Sequence, residues 1–322
     1  MKKFFLLLFI ALQITGCYYE DDFEIDNFEE DYPEEEWNEE EYSEDSEESS
    51  LTLYSVNGDE IHKIKDYPVS ANLESYQQNY AKHFEMWDFV TRLIPLSARG
   101  KIGEFEVFHG GGEFLGYVAP IDDSDLSSWR FALAIDAVED LTTIDFTRLF
   151  TYVTIHEYGH VLTSYAEHID VNGSEFSCPN YFTGEGCSRA HSYINRLVEI
   201  GWLDIIDQHD EDNPDPTYNN YRDRFVSDYA ATNPGEDIAE VFSFFITREN
   251  PPSGNSIADQ KVKMMYDYPE LVQLREQIRR NEDVAALRAG SWRTDPLFRK
   301  FKLGHRHSHK HVKAATSTSV IK

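Results

Sequence analysis

The sequence predicts an α+β domain, with a small mixed sheet followed by a mostly helical second half. Short apolar runs bounded by turn residues come first, at residues 104–108, 114–119 and 129–135. Such runs are typical of strands. Segments whose apolar residues are spaced by three and four then dominate, and this is the period of helices. Strands and helices segregated along a chain in this way indicate the α+β class.

The helices are predicted from this spacing. The first covers residues 71–96, where the apolar pattern ends at Pro95. The second covers residues 146–165 and places His156 and His160 on one face, because residues four apart on a helix lie close together. Four more helices are predicted at residues 188–206, 234–247, 257–266 and 269–280.

The start of the chain has the layout of a secretory signal. Residues 1–16 contain two lysines, then an apolar run, then a small residue just before the expected cleavage site. The apolar run is too short to span a bilayer. Residues 14–17 resemble the lipobox of bacterial lipoproteins, which implies cleavage before Cys17 and a lipid on that cysteine. The alternative is an ordinary cleaved signal. We expect a lipid-anchored protein of the bacterial cell envelope, facing the periplasm or the cell surface.

An acidic tether is predicted at residues 17–50. Residues 18–50 contain 18 Asp or Glu and no Lys or Arg, within a chain of formal net charge −30. Such a segment buries too little apolar surface to fold. The negative charge also argues against nucleic acid as a partner. Of the remainder, residues 51–298 are predicted to form the folded domain, expected to be a monomer.

Residues 299–322 are expected to be a basic tail without ordered structure. The tail has seven Lys or Arg, no acidic residue, and four histidines that alternate along the chain. These histidines could bind divalent metal, or the tail could simply be solvated. The histidines are His305, His307, His309 and His311.

Two further cysteines lie in the domain, Cys178 and Cys187. An even pair in an exported chain favours a disulfide. A metal-binding pair is the alternative, but no second pair with zinc-finger or zinc-ribbon spacing accompanies it. We predict the disulfide.

The motif that points to chemistry is His156-Glu157-Tyr158-Gly159-His160, an H-E-x-x-H sequence inside a predicted helix. Both imidazoles can reach one ion there, while Glu157 faces a water on that ion. Two nitrogens, a carboxylate and an open position suit Zn²⁺. The alternative is a chance pattern on a surface helix.

The third ligand has to come from elsewhere. A metzincin would have Gly at position 163 and His at position 166, and this chain has Thr163 and Ala166. Glu236 is the better candidate. It lies near the start of a predicted helix that opens with Asn233 and Pro234, a typical cap and first residue. Taken alone, Glu236 could equally be a capping-box glutamate on a solvated face.

Small residues suggest how the two helices meet. Ala239 and Ser243 lie beside Glu236 and Glu240 on the later helix, and Gly159 lies on the matching flank of the histidine helix. Small side chains at such positions allow two helices to approach closely.

A resemblance supports Glu236 over the capping alternative. H-E-x-x-H, then Tyr229, Glu236 seven residues on and Glu240 four residues further, resembles the gluzincin peptidases related to the catalytic domain of anthrax lethal factor. The match covers residues 151–163 and 227–245. It implies a zincin-like fold in which Glu236 binds the ion, Glu240 supports a ligand histidine and Tyr229 assists catalysis.

The sequence therefore predicts a zinc-dependent peptidase, expected to be an endopeptidase, with one catalytic Zn²⁺ and a peptide or protein as substrate. Glu157 would take the proton of the zinc-bound water and pass it to the leaving amine. A substrate strand is expected along residues 114–119 or 129–135 by strand addition. Two alternatives are a peptidase-like lipoprotein that binds a partner without turnover, and a protein that captures metal ions through its tether and tail.

Overall fold

A computed structural model of the chain describes residues 49–112, 114–138, 144–281, 283–284 and 302–305. Its strands are β1 (Ser49–Asn57), β2 (Glu60–Asp66), β3 (Ile102–His109), β4 (Phe114–Asp122), β5 (Asp125–Ala134), β6 (Ile169–Asp170), β7 (Phe182–Thr183), β8 (Gly186–Ser188) and β9 (Lys302–His305). Its α-helices are α1 (Glu74–Gln77), α2 (Tyr80–Leu93), α3 (Leu96–Arg99), α4 (Ile144–Thr163), α5 (Tyr193–Gly201), α6 (Asp215–Asn220), α7 (Pro234–Thr247), α8 (Ile257–Met265) and α9 (Pro269–Ile278).

The predicted α+β class is confirmed. Six strands form one mixed sheet in the order β2-β1-β3-β5-β4-β9, in which β3 pairs with β5 and β4 with β9 in parallel. The other neighbours in this sheet are antiparallel. A three-stranded sheet, β6-β8-β7, follows α4 in sequence. Most of the described chain after it is helical. Within the described residues, no helix has both the length and the apolar character needed to cross a membrane.

The hairpin of β1 and β2 was not predicted. Asn57 pairs with Glu60, so the connection has two residues, and Gly58 adopts a left-handed φ of 66°. A two-residue connection of Gly followed by Asp between two strands is a hairpin signal. The signal was present in the sequence, but the lysine-rich β2 has too little apolar alternation to identify it as a strand.

The prediction that residues 299–322 lack ordered structure is wrong for four of them. Lys302–His305 forms β9 and pairs with β4, with Tyr117 opposite Gly304. The rest of that tail, the tether up to residue 48 and the signal with Cys17 lie outside the described residues.

This sheet order also corrects the expectation for a substrate strand. β5, which contains most of residues 129–135, lies between β3 and β4 and has no free edge. The two flanking strands use its backbone hydrogen bonds. Strand addition there is therefore excluded, and β4 is itself bordered on its other side by β9, from Phe114 to Val118.

Two predicted helices are shorter than expected. The segment 71–96 is divided into α1, α2 and α3, since the Asn79 side chain accepts a hydrogen bond from the Lys82 backbone and starts a new helix. The segment 188–206 forms a helix only over Tyr193–Gly201. Asn and Ser are strong helix-capping residues, and Ser192 caps α5 as Asn79 caps α2.

Helix α4 packs between the sheet and α7, and two glycines allow this. A Cβ at Gly116 of β4 would lie 3.0 Å from Val153 Cγ1 and 3.3 Å from Glu157 Cγ. A Cβ at Gly159 of α4 would lie 3.2 Å from the Ala239 Cα of α7. The close approach of α4 and α7 expected from their small residues is therefore present.

Candidate metal centre

Helix α4 carries both histidines of the motif on its buried face. His156 and His160 are almost fully buried, and their rings lie edge to face with centroids 4.8 Å apart. Their Nε2 atoms are 3.1 Å apart. Residues four apart on a helix are neighbours, so this convergence follows from the local sequence. Both rings then point one nitrogen at the same place.

Helix α7 brings Glu236 to the same point. Glu236 Oε2 lies 3.1 Å from His156 Nε2 and 3.3 Å from His160 Nε2. The backbone N–H of Glu236 also donates to Asn233 Oδ1 at 2.9 Å, which fixes the start of the helix. Glu236 is thus the third residue after its cap, as the capping alternative held. Its side chain is nevertheless buried against the histidines and not solvated.

The three donor atoms fit a tetrahedral zinc ion. The possible ligand atoms of His156, His160 and Glu236 all lie within 4.8 Å of one another. An ion with bonds of about 2.0–2.1 Å in tetrahedral geometry has its ligand atoms about 3.3–3.4 Å apart, close to the separations between these donors. Two imidazoles and one carboxylate, with a fourth position open, form a catalytic zinc donor set. This His-His-Glu cluster could bind a metal ion.

The hydrogen bonds of His156 support the same conclusion. Its Nδ1 lies 2.9 Å from Glu240 Oε1, and because an ionised carboxylate only accepts, Nδ1 carries the proton. Burial lowers the pKa of His156 to about 4, which favours the neutral ring. The Nε2 lone pair therefore faces the Glu236 carboxylate. Two electron-rich atoms this close are stabilised by a cation between them.

Glu240 is held by several donors at once. Tyr152 donates its hydroxyl to Oε1, the atom that also accepts from His156, and Ser227 donates to Oε2 at 2.5 Å. Glu240 contacts the Nδ1 side of His156, whereas the cluster uses the Nε2 side. Glu240 therefore lies where a residue that supports a ligand histidine would lie. Orientation of a ligand histidine by a carboxylate is common at metal sites.

The Glu157 carboxyl is an orphaned buried group. Both of its oxygens are buried, and neither has a hydrogen-bond partner among the described residues. Burial and the negative charge of Glu236 raise the pKa of Glu157 well above its usual value. A buried polar group without a partner is rare in a folded protein and calls for a functional explanation. A water molecule on a bound ion would supply the missing hydrogen bond.

Tyr229 lies in a short 3-10 turn, Tyr229–Ala231, that precedes α7. Its ring centroid is 5.8 Å from that of His156, and its hydroxyl hydrogen-bonds Glu236. Burial of the phenol, with Glu236 and Glu157 nearby, raises the pKa of Tyr229 well above its usual value. The hydroxyl therefore keeps its proton at neutral pH and can donate it in a hydrogen bond. Tyr229 contacts the cluster and is not packed away from it.

Helix α7 is anchored by a buried ion pair that was not predicted from the sequence. Asp237 and Lys261 are both fully buried, and Lys261 Nζ lies 2.5 Å from Asp237 Oδ2. Trp202 Nε1 donates to the same oxygen at 2.7 Å. These contacts join the residue that follows α5 to α7 and α8 next to Glu236. No local pattern relates residues this far apart in sequence.

The predicted disulfide between Cys178 and Cys187 is present. It links the start of a loop to β8 of the three-stranded sheet, which also contains β6 and β7. His109 accepts a hydrogen bond from the Gly111 backbone and packs against Tyr76.

Neither protein-family models nor curated proteins give a match to this chain. A solved structure does match. It is the crystal structure, at 2.10 Å resolution, of a candidate zinc-binding metallo-peptidase from Bacteroides caccae ATCC 43185. The two chains are 20% identical, the match covers 64% of this chain and 78% of that chain, and the TM-score is 0.33. A TM-score this low supports no conclusion about function, which depends on the geometry of the site itself.

Proposed function

We propose that this protein is a zinc-dependent peptidase, an endopeptidase of the bacterial cell envelope. One zinc ion would be held by His156, His160 and Glu236. The observation that carries the proposal is the pairing of this cluster with Glu157, a buried carboxyl with no hydrogen-bond partner among the described residues. A site that only stored or sensed metal would have no use for such a group.

Zinc bound there would polarise the scissile carbonyl and lower the pKa of a bound water. The chain's own residues transfer the proton and orient the ligands. Glu157 accepts the water's proton and passes it to the leaving amine. Glu240 holds the His156 ring in one tautomer and one orientation.

Tyr229 is proposed to donate its hydroxyl hydrogen bond to the oxyanion that forms on the substrate carbonyl. The lethal-factor-like resemblance implies this role, and the contact with Glu236 supports it. Loss of one oxyanion donor typically costs about 100- to 1000-fold in turnover. Tyr229→Phe should lower kcat by that much, with little change in KM, zinc content or melting temperature. Activity within about threefold of wild type, far below that loss, would contradict the assignment.

The substrate strand is proposed to pair with β4. Gly116 of this strand lies against the Glu157 side chain, so the β4 edge passes beside the proposed base. β9 pairs with β4 from Phe114 to Val118, which makes it a competitor for the same backbone groups. An extended peptide would gain main-chain hydrogen bonds there only after β9 leaves.

The envelope location and the lipid anchor at Cys17 are proposals from the sequence. A secreted chain with a disulfide agrees with an oxidising compartment. The acidic tether would place the domain away from the membrane surface to which the lipid holds it.

The decisive experiment is digestion of a peptide library by the full mature chain in detergent. Wild type should cleave, a chelator should abolish cleavage, and added zinc should restore it. Glu157→Gln is the matched control because it keeps the shape of the side chain and removes the base. Elemental analysis runs in parallel. One tight zinc ion without any cleavage would favour the binding alternative, and several loosely bound ions would favour metal capture.

A further inference from the structure

The hydroxyl of Ser227 connects the turn that carries Tyr229 to the carboxylate that orients His156. Ser227 Oγ donates to Glu240 Oε2 at 2.5 Å and accepts the Ala230 backbone N–H at 3.0 Å. Since a carboxylate cannot donate and a backbone N–H cannot accept, both directions are fixed. The Ser227 hydroxyl therefore uses its single proton in one hydrogen bond and one of its acceptor sites in the other.

These bonds form a continuous chain through the site. It runs from the Ala230 N–H through Ser227 to Oε2 of Glu240. The other oxygen of that carboxylate accepts from His156 and Tyr152. Three donors on one carboxylate restrict its rotation, and hydrogen bonds in such chains strengthen one another.

Asp228 makes a second side-chain contact with the turn backbone. The exposed Asp228 side chain accepts the Tyr229 backbone N–H at 2.9 Å and so fixes the turn only within itself. The Ser227 contact is different because it ties the turn to α7 through Glu240. A shift of the turn would then move both the phenol of Tyr229 and the support of His156.

We propose that Ser227 is a positioning residue for this site, which couples the placement of Tyr229 to the orientation of His156 through Glu240. The inference rests on the proposed function, since it gives Ser227 a role in zinc binding and turnover. The simpler alternative is that Ser227 only caps the 3-10 turn. A cap would affect the stability of the turn and leave zinc affinity unchanged.

The test compares Ser227→Ala with Ser227→Thr and with Ser243→Ala in the full mature chain. Ser243 is a matched control because it is buried in α7 and, among the residues that the structure describes, its hydroxyl bonds only the Ala239 carbonyl one turn earlier. The readouts are zinc affinity by chelator competition, kcat, KM and melting temperature. Loss of an outer partner of a metal ligand typically costs about 10- to 100-fold in metal affinity or activity.

Ser227→Ala should lower both zinc affinity and kcat by up to about tenfold, less than the loss of Glu240, which contacts the ligand histidine directly, and leave KM nearly unchanged. Ser227→Thr keeps the hydroxyl and should restore both quantities, and Ser243→Ala should change neither. In a Glu240→Ala background, Ser227→Ala should add little, because the route through Glu240 is already gone. If Ser227→Ala does not fold, Ser227→Cys, a weaker donor of similar shape, should show the same losses.

A lowered melting temperature with unchanged zinc affinity and kcat would overturn the proposal and leave Ser227 as a cap. Full additivity with Glu240→Ala would overturn it as well. Failure of the proposed function would give a different set of results. If wild type cleaves no peptide, the zinc affinities of the same variants still decide the role of Ser227.

Discussion

Replacing Glu157 by Gln should stabilise the metal-free protein at neutral pH while removing its activity. The carboxyl is fully buried, has no hydrogen-bond partner among the described residues, and has a raised pKa because of burial and Glu236. A carboxyl whose pKa is higher in the folded than in the unfolded state stabilises the fold below its ordinary pKa. That stability is lost as the pH rises towards the folded value. Gln has nearly the same volume as Glu and does not titrate.

The magnitude has an upper limit. Protonating a glutamate of ordinary pKa, about 4.3, at pH 7 costs about 3.7 kcal/mol, at about 1.36 kcal/mol per pH unit. The free energy of unfolding of Glu157→Gln minus that of wild type should therefore increase from about pH 4.3 to pH 7. The increase should not exceed about 1.4 kcal/mol per pH unit or about 3.7 kcal/mol in all.

Urea unfolding of both proteins in the presence of a chelator, from about pH 4.5 to 7.5 in the range where Glu157 titrates, measures this difference. Other titrating groups are common to both chains and largely cancel. Zinc should reduce the difference, since a nearby cation favours ionised Glu157. The variant should still bind zinc and should lose nearly all hydrolysis. Parallel pH profiles of the metal-free proteins would refute the reasoning, because they would mean that the carboxyl is not in the environment described.

Three other predictions concern the third ligand, the β4 edge and the anchor. Glu236→Ala should weaken zinc binding by more than about 100-fold, beyond the cost of losing an outer partner, and unchanged affinity in chelator competition would reject Glu236 as a ligand. Prolines at both Leu303 and Gly304 remove backbone donors that β9 could use. If β9 competes with substrate, two such bonds at roughly 1 kcal/mol each imply a KM for peptides about tenfold lower or more, and an unchanged KM would count against β4 as the substrate edge. The mature chain should begin at lipid-modified Cys17, which intact-mass spectrometry detects, and cleavage elsewhere without lipid would exclude the anchor.

Sequence spacing predicted the parts of the site that lie within one helix. The bounds of α7, Pro234–Thr247, follow from Asn233 and Pro234, which start a helix by local chemistry. The convergence of His156 and His160 follows from helical geometry alone. Tyr152 lies four residues before His156 on the same face, so its contact with the Glu240 network could have been expected from the same spacing.

Contacts between distant segments were not predictable in this way. The role of Glu236 stayed open in the sequence because a capping glutamate and a metal ligand have the same local pattern. The structure brings the Glu236 carboxylate against both histidines through the packing of α7 on α4, which Gly159 permits by leaving room for the Ala239 backbone. No sequence pattern identified Ser227, because its contact with Glu240 depends on the path of the chain between the two residues.

The sequence by itself determined the α+β class, the helix that carries the motif, the capped start of α7 and the disulfide pair. Each depends on periodicity, capping or cysteine number, which are properties of neighbouring residues or of composition. Tertiary structure alone decided that Glu236 faces the histidines, that Asp237 and Lys261 pair in the core, and that β5 is an inner strand with β9 beyond β4. These depend on which surfaces are buried against each other, and burial is a property of the whole chain.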